Sequence, residues 1–372
     1  MKIGIDAFGC EHGRSGIGSY LRSLIANLPD NPSIIYELFG PEMDRYTYTS
    51  GVSRILYEGL SVPDSLAAER FWHTINIKSF SQKQKYDVIL FPAGARFLPQ
   101  SFKIPGVAVV NDIVSSLFAE TSDRWFSLLI KRGLAKATRI IAGSACIKQD
   151  LISLGIPAHT IDVVYNGVDH ALFYPRSDLT GEVVNIKPFA IKRPYIIYAS
   201  RMSSPSKKHA ELIRAFSLFK KKTGLPHRLV LAGSDGAASD AVHCEAAASQ
   251  YGSDIFLTGY FPHKSLPELY SCADACVFPS VSEGVGLPVL EAMAAGLPAA
   301  CANAGALPEI AGDNALYFDA DNIEAAASAI EAIVTDTELR ERLSAQGLEW
   351  AQQFSWEKTA EKTLAILAQA MG

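Results

Sequence analysis

The residues best suited to chemistry cluster in one segment, Cys276–Pro298. An apolar run ends near Pro279, the turn Glu283-Gly284-Val285-Gly286-Leu287 follows, and Pro288 opens a second apolar run carrying Glu291. Strand, glycine turn and helix in that order present the backbone N–H groups of Gly284, Val285, Gly286 and Leu287 at a helix start. Those donors and the positive end of the helix dipole favour a phosphate there. Glycine lets the backbone approach it without a Cβ in the way. Pro288 suits the first helical position, where its missing N–H costs nothing. Glu283 precedes the turn and Glu291 falls in the first turn of the helix, so both carboxylates can accept hydrogen bonds from sugar hydroxyls. A plainer role for Glu291 is to complement the dipole, worth about 0.3–1 kcal/mol.

A phosphate also needs cations. Arg201 and Lys207 follow the apolar run Tyr195–Ala199 and precede a helical pattern over His209–Phe219. Arginine binds phosphate bidentately and lysine acts as a mobile point charge. Lys208 competes with Lys207 for that task, and a solvated basic loop is the plain alternative. A second glycine turn, with Gly9, Gly13, Gly16 and Gly18, lies between the run Lys2–Asp6 and the helical pattern Gly16–Leu28. Gly16 and Gly18 make it a second candidate anion contact.

These turns need a scaffold. Short β-branched runs alternate with helical patterns through the chain. Lys2–Asp6, Ser33–Phe39, Arg54–Tyr57, Asp87–Phe91, Gly106–Asn111 and Arg139–Ala142 read as one set of strands. Tyr195–Ala199, Arg228–Ala232, Asp254–Leu257, Ala275–Pro279, Ala299–Ala302 and Leu316–Phe318 read as a second. Repeated β-then-α order means parallel sheets covered on both faces. The expected fold is α/β, with two doubly wound, Rossmann-like domains and a boundary between Phe173 and Pro194, where Pro175, Pro188, Pro194 and Gly181 fall. Ligands bind beyond the carboxyl ends of such strands, so the expected site is a cleft between the domains.

Bulk composition agrees. The 372 residues allow two domains at roughly 100–200 residues each. The 48% hydrophobic and 20% charged content is that of a globular protein. A net charge of −5 argues against nucleic acid as a partner. The six cysteines show no metal-type CxxC pair and read as buried free thiols in a reducing compartment. The first apolar run is interrupted by Asp6, unlike a signal peptide. No run reaches the about 18 apolar residues of a membrane span, so a cytoplasmic location is expected.

The segment Glu283–Pro298 resembles the signature of the retaining glycosyltransferases of family 4. Gly16-Ile-Gly-Ser-Tyr20, Ser144 with Lys148, Ile161–Asp169, Arg201 with Lys207, Asn303–Gly312 and Trp356–Ala360 are similar to its other segments, in order. The resemblance implies the GT-B fold. Residues 1–175 would form an acceptor-side domain and 190–355 a donor domain, with a final helix, 356–372, crossing back to the first. It also implies a hexosyltransferase acting on a nucleotide sugar, which is a substrate, so no cofactor is expected. Arg201 and Lys207 would neutralise the leaving diphosphate in place of a metal, Glu283 would contact the transferred sugar, and Glu291 would hold the ribose. Gly284–Leu287 would offer N–H groups, and the backbone of Tyr260 would meet the base. Where the family often has His-Asp this chain has Asn111-Asp112. Both are expected near the reaction centre, but Asn111 carries no proton at pH 7. Val285 replaces the family's usual Phe.

GDP-mannose is the first expectation for the donor, with a UDP-sugar as rival, and a glycan or lipid-linked sugar is the expected acceptor in polysaccharide or glycolipid synthesis. Trp125 and Phe126 among Arg124, Lys131, Arg132 and Lys136 suggest peripheral contact with the inner face of a membrane. A solvated helix with a buried aromatic stripe is the alternative. A nucleotide-sugar epimerase of the same fold and a non-catalytic nucleotide-sugar-binding protein are the competing functions.

Overall fold

The structure, a computed structural model, describes residues 1–121, 123–176, 181–186 and 189–372. Pro188 and the Arg124 side chain lie outside the described set. The chain divides into two compact units, Met1–Gly167 with Trp356–Gly372, and Val168–Ser355. The division falls upstream of the Phe173–Pro194 stretch.

The first unit holds seven parallel strands: β1 (Lys2–Asp6), β2 (Ile35–Pro41), β3 (Ile55–Leu60), β4 (Val88–Phe91), β5 (Gly106–Val110), β6 (Arg139–Ala142) and β7 (Ile161–Val163). Their spatial order is β3-β2-β1-β4-β5-β6-β7. The short β7 is absent from the expected strands, because three residues carry no periodic signal. The second unit opens with an antiparallel hairpin, β8 (Val183–Ile186) and β9 (Phe189–Lys192). Six parallel strands follow: β10 (Tyr195–Ala199), β11 (Arg228–Ala232), β12 (Ile255–Leu257), β13 (Ala275–Phe278), β14 (Ala299–Ala302) and β15 (Ala315–Phe318). Their order is β12-β11-β10-β13-β14-β15.

Both sheets therefore reverse strand order once, beside β1 and beside β10. The loops leaving β1 and β4, or β10 and β13, run to opposite sides and leave an opening at the carboxyl ends, where doubly wound sheets take their ligands. Every residue of β4, β5, β10 and β13 is buried. That is why these strands read as continuous apolar runs and not as alternating ones.

In the first unit the carboxyl end of β1 is pinned by a buried ion pair. Asp6 Oδ2 meets His73 Nε2 at 2.7 Å, and Asp6 Oδ1 accepts the Phe8 N–H at 2.9 Å. Burial opposes charging of His73, but the Asp6 charge and hydrogen bond win and raise its pKa. Burial, then Asp6, pushes the neighbouring Glu69 carboxyl up to about 7. The last helix, Trp356–Gln369, packs on the helix Gly16–Asn27, with the Trp356 and Tyr20 rings edge to face at 5.7 Å. A helix over Thr337–Ala351 is also present and was not expected. All six thiols are free. Cys10, Cys272, Cys276 and Cys301 are buried, but Cys244 is exposed and Cys146 half-buried, which corrects the expectation of uniformly buried thiols.

Candidate functional site

The loops at the carboxyl ends of β10 and β13 bring two of the sequence-selected groups, Lys207 and Glu283, together. The loop after β10 leads through Arg201 to a tight turn, Pro205–Lys207, which Ser204 caps by accepting the Ser206 N–H at 3.3 Å. Tyr198 Oη donates to the Lys207 carbonyl at 3.0 Å, and the Val281 N–H donates to the Ser206 carbonyl at 3.0 Å. The second bond ties this turn to the loop after β13. Lys207 Nζ consequently lies 2.7 Å from Glu283 Oε1, with both side chains largely buried. Lys208 takes a left-handed φ of 56° and reaches elsewhere, to Asp321 at 2.7 Å and Glu211 at 3.3 Å. Those two hydrogen bonds, Asp321 first, raise its pKa. Of the two adjacent lysines, only Lys207 faces the glycine turn. The Arg201 guanidinium is exposed and has no partner among the described residues.

The glycine turn enters the helix Leu287–Ala294 with Gly286 as its cap at φ 61°. Pro288 occupies the second helical position and not the first. Val285 is buried. The Glu283 backbone is braced from a separate loop: the Ala306 N–H donates to the Glu283 carbonyl at 2.9 Å. Gly305, at φ +58°, passes so close that a Cβ there would sit 2.9 Å from that carbonyl oxygen.

Glu291 is the fifth residue of its helix, beyond the first turn, so the dipole-complementing alternative loses its basis. Its side chain is 6% exposed and its Oε1 lies 2.8 Å from His263 Nε2. His263 was not singled out from the sequence, since nothing in the turn Pro262-His263-Lys264 announces a partner on another helix. Tyr260 is 73% exposed and follows Gly259, which takes a φ of +66°. His209 caps the other side of the Arg201 loop, with Nε2 3.2 Å from the Ser200 carbonyl; burial drives its pKa down to about 4.

The remaining candidates belong to the first unit. Asn111 and Asp112 follow β5. Both amide atoms of Asn111 are buried and have no partner among the described residues. Gly16 opens its helix, and open space surrounds the position of a Cβ. Gly18 behaves differently: its N–H is already donated to Ser15 Oγ at 3.1 Å, and a Cβ would meet the Cys10 carbonyl at 2.4 Å. A side chain there would keep the loop from folding onto the helix.

The helix Arg124–Lys136 exposes Trp125 at 75%, together with Leu128 and Leu129. Phe126, beside Trp125, is half-buried, with the Arg70 guanidinium 4.1 Å over its ring. No helix among the described residues is long and apolar enough to cross a membrane.

Two family models match the chain: Glycosyltransferase Family 4 over residues 14–172 and Glycosyl transferases group 1 over residues 182–350. The O-antigen chain mannosyltransferase B of Escherichia coli is 36% identical over 170 residues, covering 46% of this chain and 44% of that protein. The chain spans about half the length of the curated relatives it matches. Among solved structures, sucrose-phosphate synthase of Thermosynechococcus elongatus superposes with a TM-score of 0.78 at 20% identity, covering 99% of this chain and 98% of that one. Anabaena HepE in complex with UDP-glucose gives 0.75 at 19% identity, covering 99% and 100%. At these identities the likeness concerns the fold.

Proposed function

The chain belongs to the glycosyltransferases of group 1 and family 4, and on that premise we propose that it moves a hexose from a nucleoside-diphosphate sugar to a glycan or lipid-linked acceptor, with retention of configuration. The observation that carries this is the pairing of Lys207 with Glu283 at the mouth of the glycine turn, on a loop that also carries Arg201, whose side chain has no partner among the described residues. A diphosphate entering there meets backbone N–H donors and two cations, while Glu283 and Glu291 accept from hydroxyls of sugar and ribose. Negative charge grows on the leaving diphosphate as the glycosidic bond breaks, and fixed cations aimed at it stabilise the transition state more than the ground state. Arg201 and Lys207 thereby take the charge role a metal would otherwise fill. In the free protein Lys207 is held by Glu283, so binding of the diphosphate exchanges one anionic partner for another. The buried amide of Asn111 has no hydrogen-bond partner among the described residues and cannot carry a proton at pH 7.

GDP-mannose is the proposed donor, supported by the mannosyltransferase relative, and a UDP-sugar is the alternative, supported by the HepE complex. The test is thermal denaturation with GDP, UDP, dTDP and ADP and their sugar conjugates, in EDTA. A ligand at 100 times its Kd adds about 2.7 kcal/mol. Stabilisation by one base family in chelator is the expected result; none with any nucleotide would overturn the donor site. An epimerase would turn the donor over without acceptor, which separates it from a transferase.

The exposed Trp125, Leu128 and Leu129 beside Lys131 and Arg132 support peripheral attachment at an anionic membrane face. Co-sedimentation with phosphatidylglycerol vesicles at low salt, lost on Trp125→Ala with Leu128→Ala, is the expected outcome; wild-type protein left in the supernatant refutes it.

A further inference from the structure

The contact between His263 and Glu291 goes beyond the groups the family signature supplies. His263 is 52% exposed in its side chain, whereas its partner is 6% exposed. The imidazole is nonetheless held. Its ring stands edge to face against Phe173 at 5.3 Å, Phe173 rests on Tyr270 at 6.2 Å, and Tyr270 Oη donates to the Pro288 carbonyl at 3.3 Å. The chain of contacts thus returns to the start of the helix that carries Glu291. An ionised carboxylate only accepts, so Nε2 donates. Oε1 is thereby fixed, while Oε2 has no hydrogen-bond partner among the described residues.

A carboxylate alone in this position would rotate between rotamers and lose freedom when it grips a diol. One held at Oε1 by a clamped ring has lost that freedom beforehand, and pre-organisation of this kind strengthens binding without any new ligand contact. Resting on the reading of Glu291 as the ribose-binding group, we infer that His263 is a positioning residue for donor recognition: it orients Glu291 so that the free oxygen accepts from the ribose hydroxyls. His263 then governs discrimination between ribose and a sugar lacking those hydroxyls. It does not act on bond breaking.

The experiment measures Kd for GDP and 2′,3′-dideoxy-GDP by calorimetry on the full chain, with the corresponding UDP pair in parallel. Wild type should prefer the ribonucleotide by about tenfold to a hundredfold, as expected for hydrogen bonds to a charged group. His263→Phe keeps a ring against Phe173 but has no N–H. It should cut that preference about fivefold, the worth of one ordinary hydrogen bond, by weakening the ribonucleotide and leaving the dideoxynucleotide unchanged. His263→Gln, whose amide can donate from a similar place, should restore it. In transfer assays His263→Phe should raise KM for the donor and leave kcat unchanged.

A merely structural role would weaken both nucleotides equally and leave the ratio intact, and that result overturns the inference. Glu291→Ala separates the two layers. If it collapses the preference while His263→Phe does not, only the positioning role falls. If Glu291→Ala leaves the preference intact, the ribose assignment itself falls and this inference with it. Failure of both nucleotide pairs to bind wild type refutes the donor site as a whole.

Discussion

Arg201 and Glu291 both answer to the donor, but at different stages of the reaction, and their variants should separate. Arg201 has no partner among the described residues, so its charge is available to the diphosphate, whose charge grows as the sugar departs. Arg201→Ala should lower kcat by about 10²- to 10³-fold, the usual cost of removing one donor aimed at developing charge. Glu291→Ala removes contacts made equally in ground and transition states, so KM should rise with kcat little changed. An Arg201→Ala enzyme with normal kcat and raised KM would contradict the leaving-group role. At this scale the sequence was legible wherever one segment carried the whole constellation. Glu283, the glycines and Glu291 are local. So is the choice of arginine and lysine after β10, although only the left-handed turn at Lys208 shows which lysine faces inward. His263 was not legible, because its partner lies 28 residues away on another element. The filled N–H of Gly18 was equally hidden: a glycine needed for close packing and one needed for a ligand look alike in a sequence.

The elements were read best where burial is complete. β4, β5, β10 and β13 are apolar throughout and stand where the runs placed them. The hairpin β8–β9 was missed because its residues mix exposed and buried positions among prolines and charges. The helix His209–Thr223 carries a liability at its first residue. His209 is 2% exposed, accepted into the fold neutral, and its folded pKa of about 4 lies below the ordinary value of 6.5. Above pH 6.5 both states are neutral and the residue is silent. Below it the unfolded chain takes up a proton that the folded chain refuses, so stability falls until the pH reaches the folded pKa. A depression of that size corresponds to a loss of about 3 kcal/mol. Denaturant titrations from pH 7 to pH 4 should show this fall, and His209→Gln should flatten it by that amount. An unchanged slope in the variant would mean that other groups govern the acid limb.

The first unit is assembled from two separated stretches of chain, and the second from one. The last helix therefore has a structural debt to residues more than 300 positions earlier. Trp356, Ile366 and Leu367 are buried, and Thr359 Oγ1 donates to the Tyr165 carbonyl at 2.8 Å. Burial of a large apolar side chain contributes about 1.5–3 kcal/mol, so these three together supply about 5–9 kcal/mol. That is comparable with the whole stability of a domain, about 5–15 kcal/mol. Every donor-side group of the proposed site (Arg201, Lys207, Tyr260, His263, Glu283 and Glu291) lies in the second unit, within Val168–Ser355. Truncation after Ser355 should accordingly unfold the first unit and abolish transfer, while nucleotide binding by the second persists. Limited proteolysis should cut the truncated chain first within residues 1–167, and calorimetry should return a nucleotide Kd within a few fold of the intact chain. Loss of nucleotide binding along with the first unit would mean that the donor site depends on both units for its shape, and the assignment of its affinity to the second unit alone would fail.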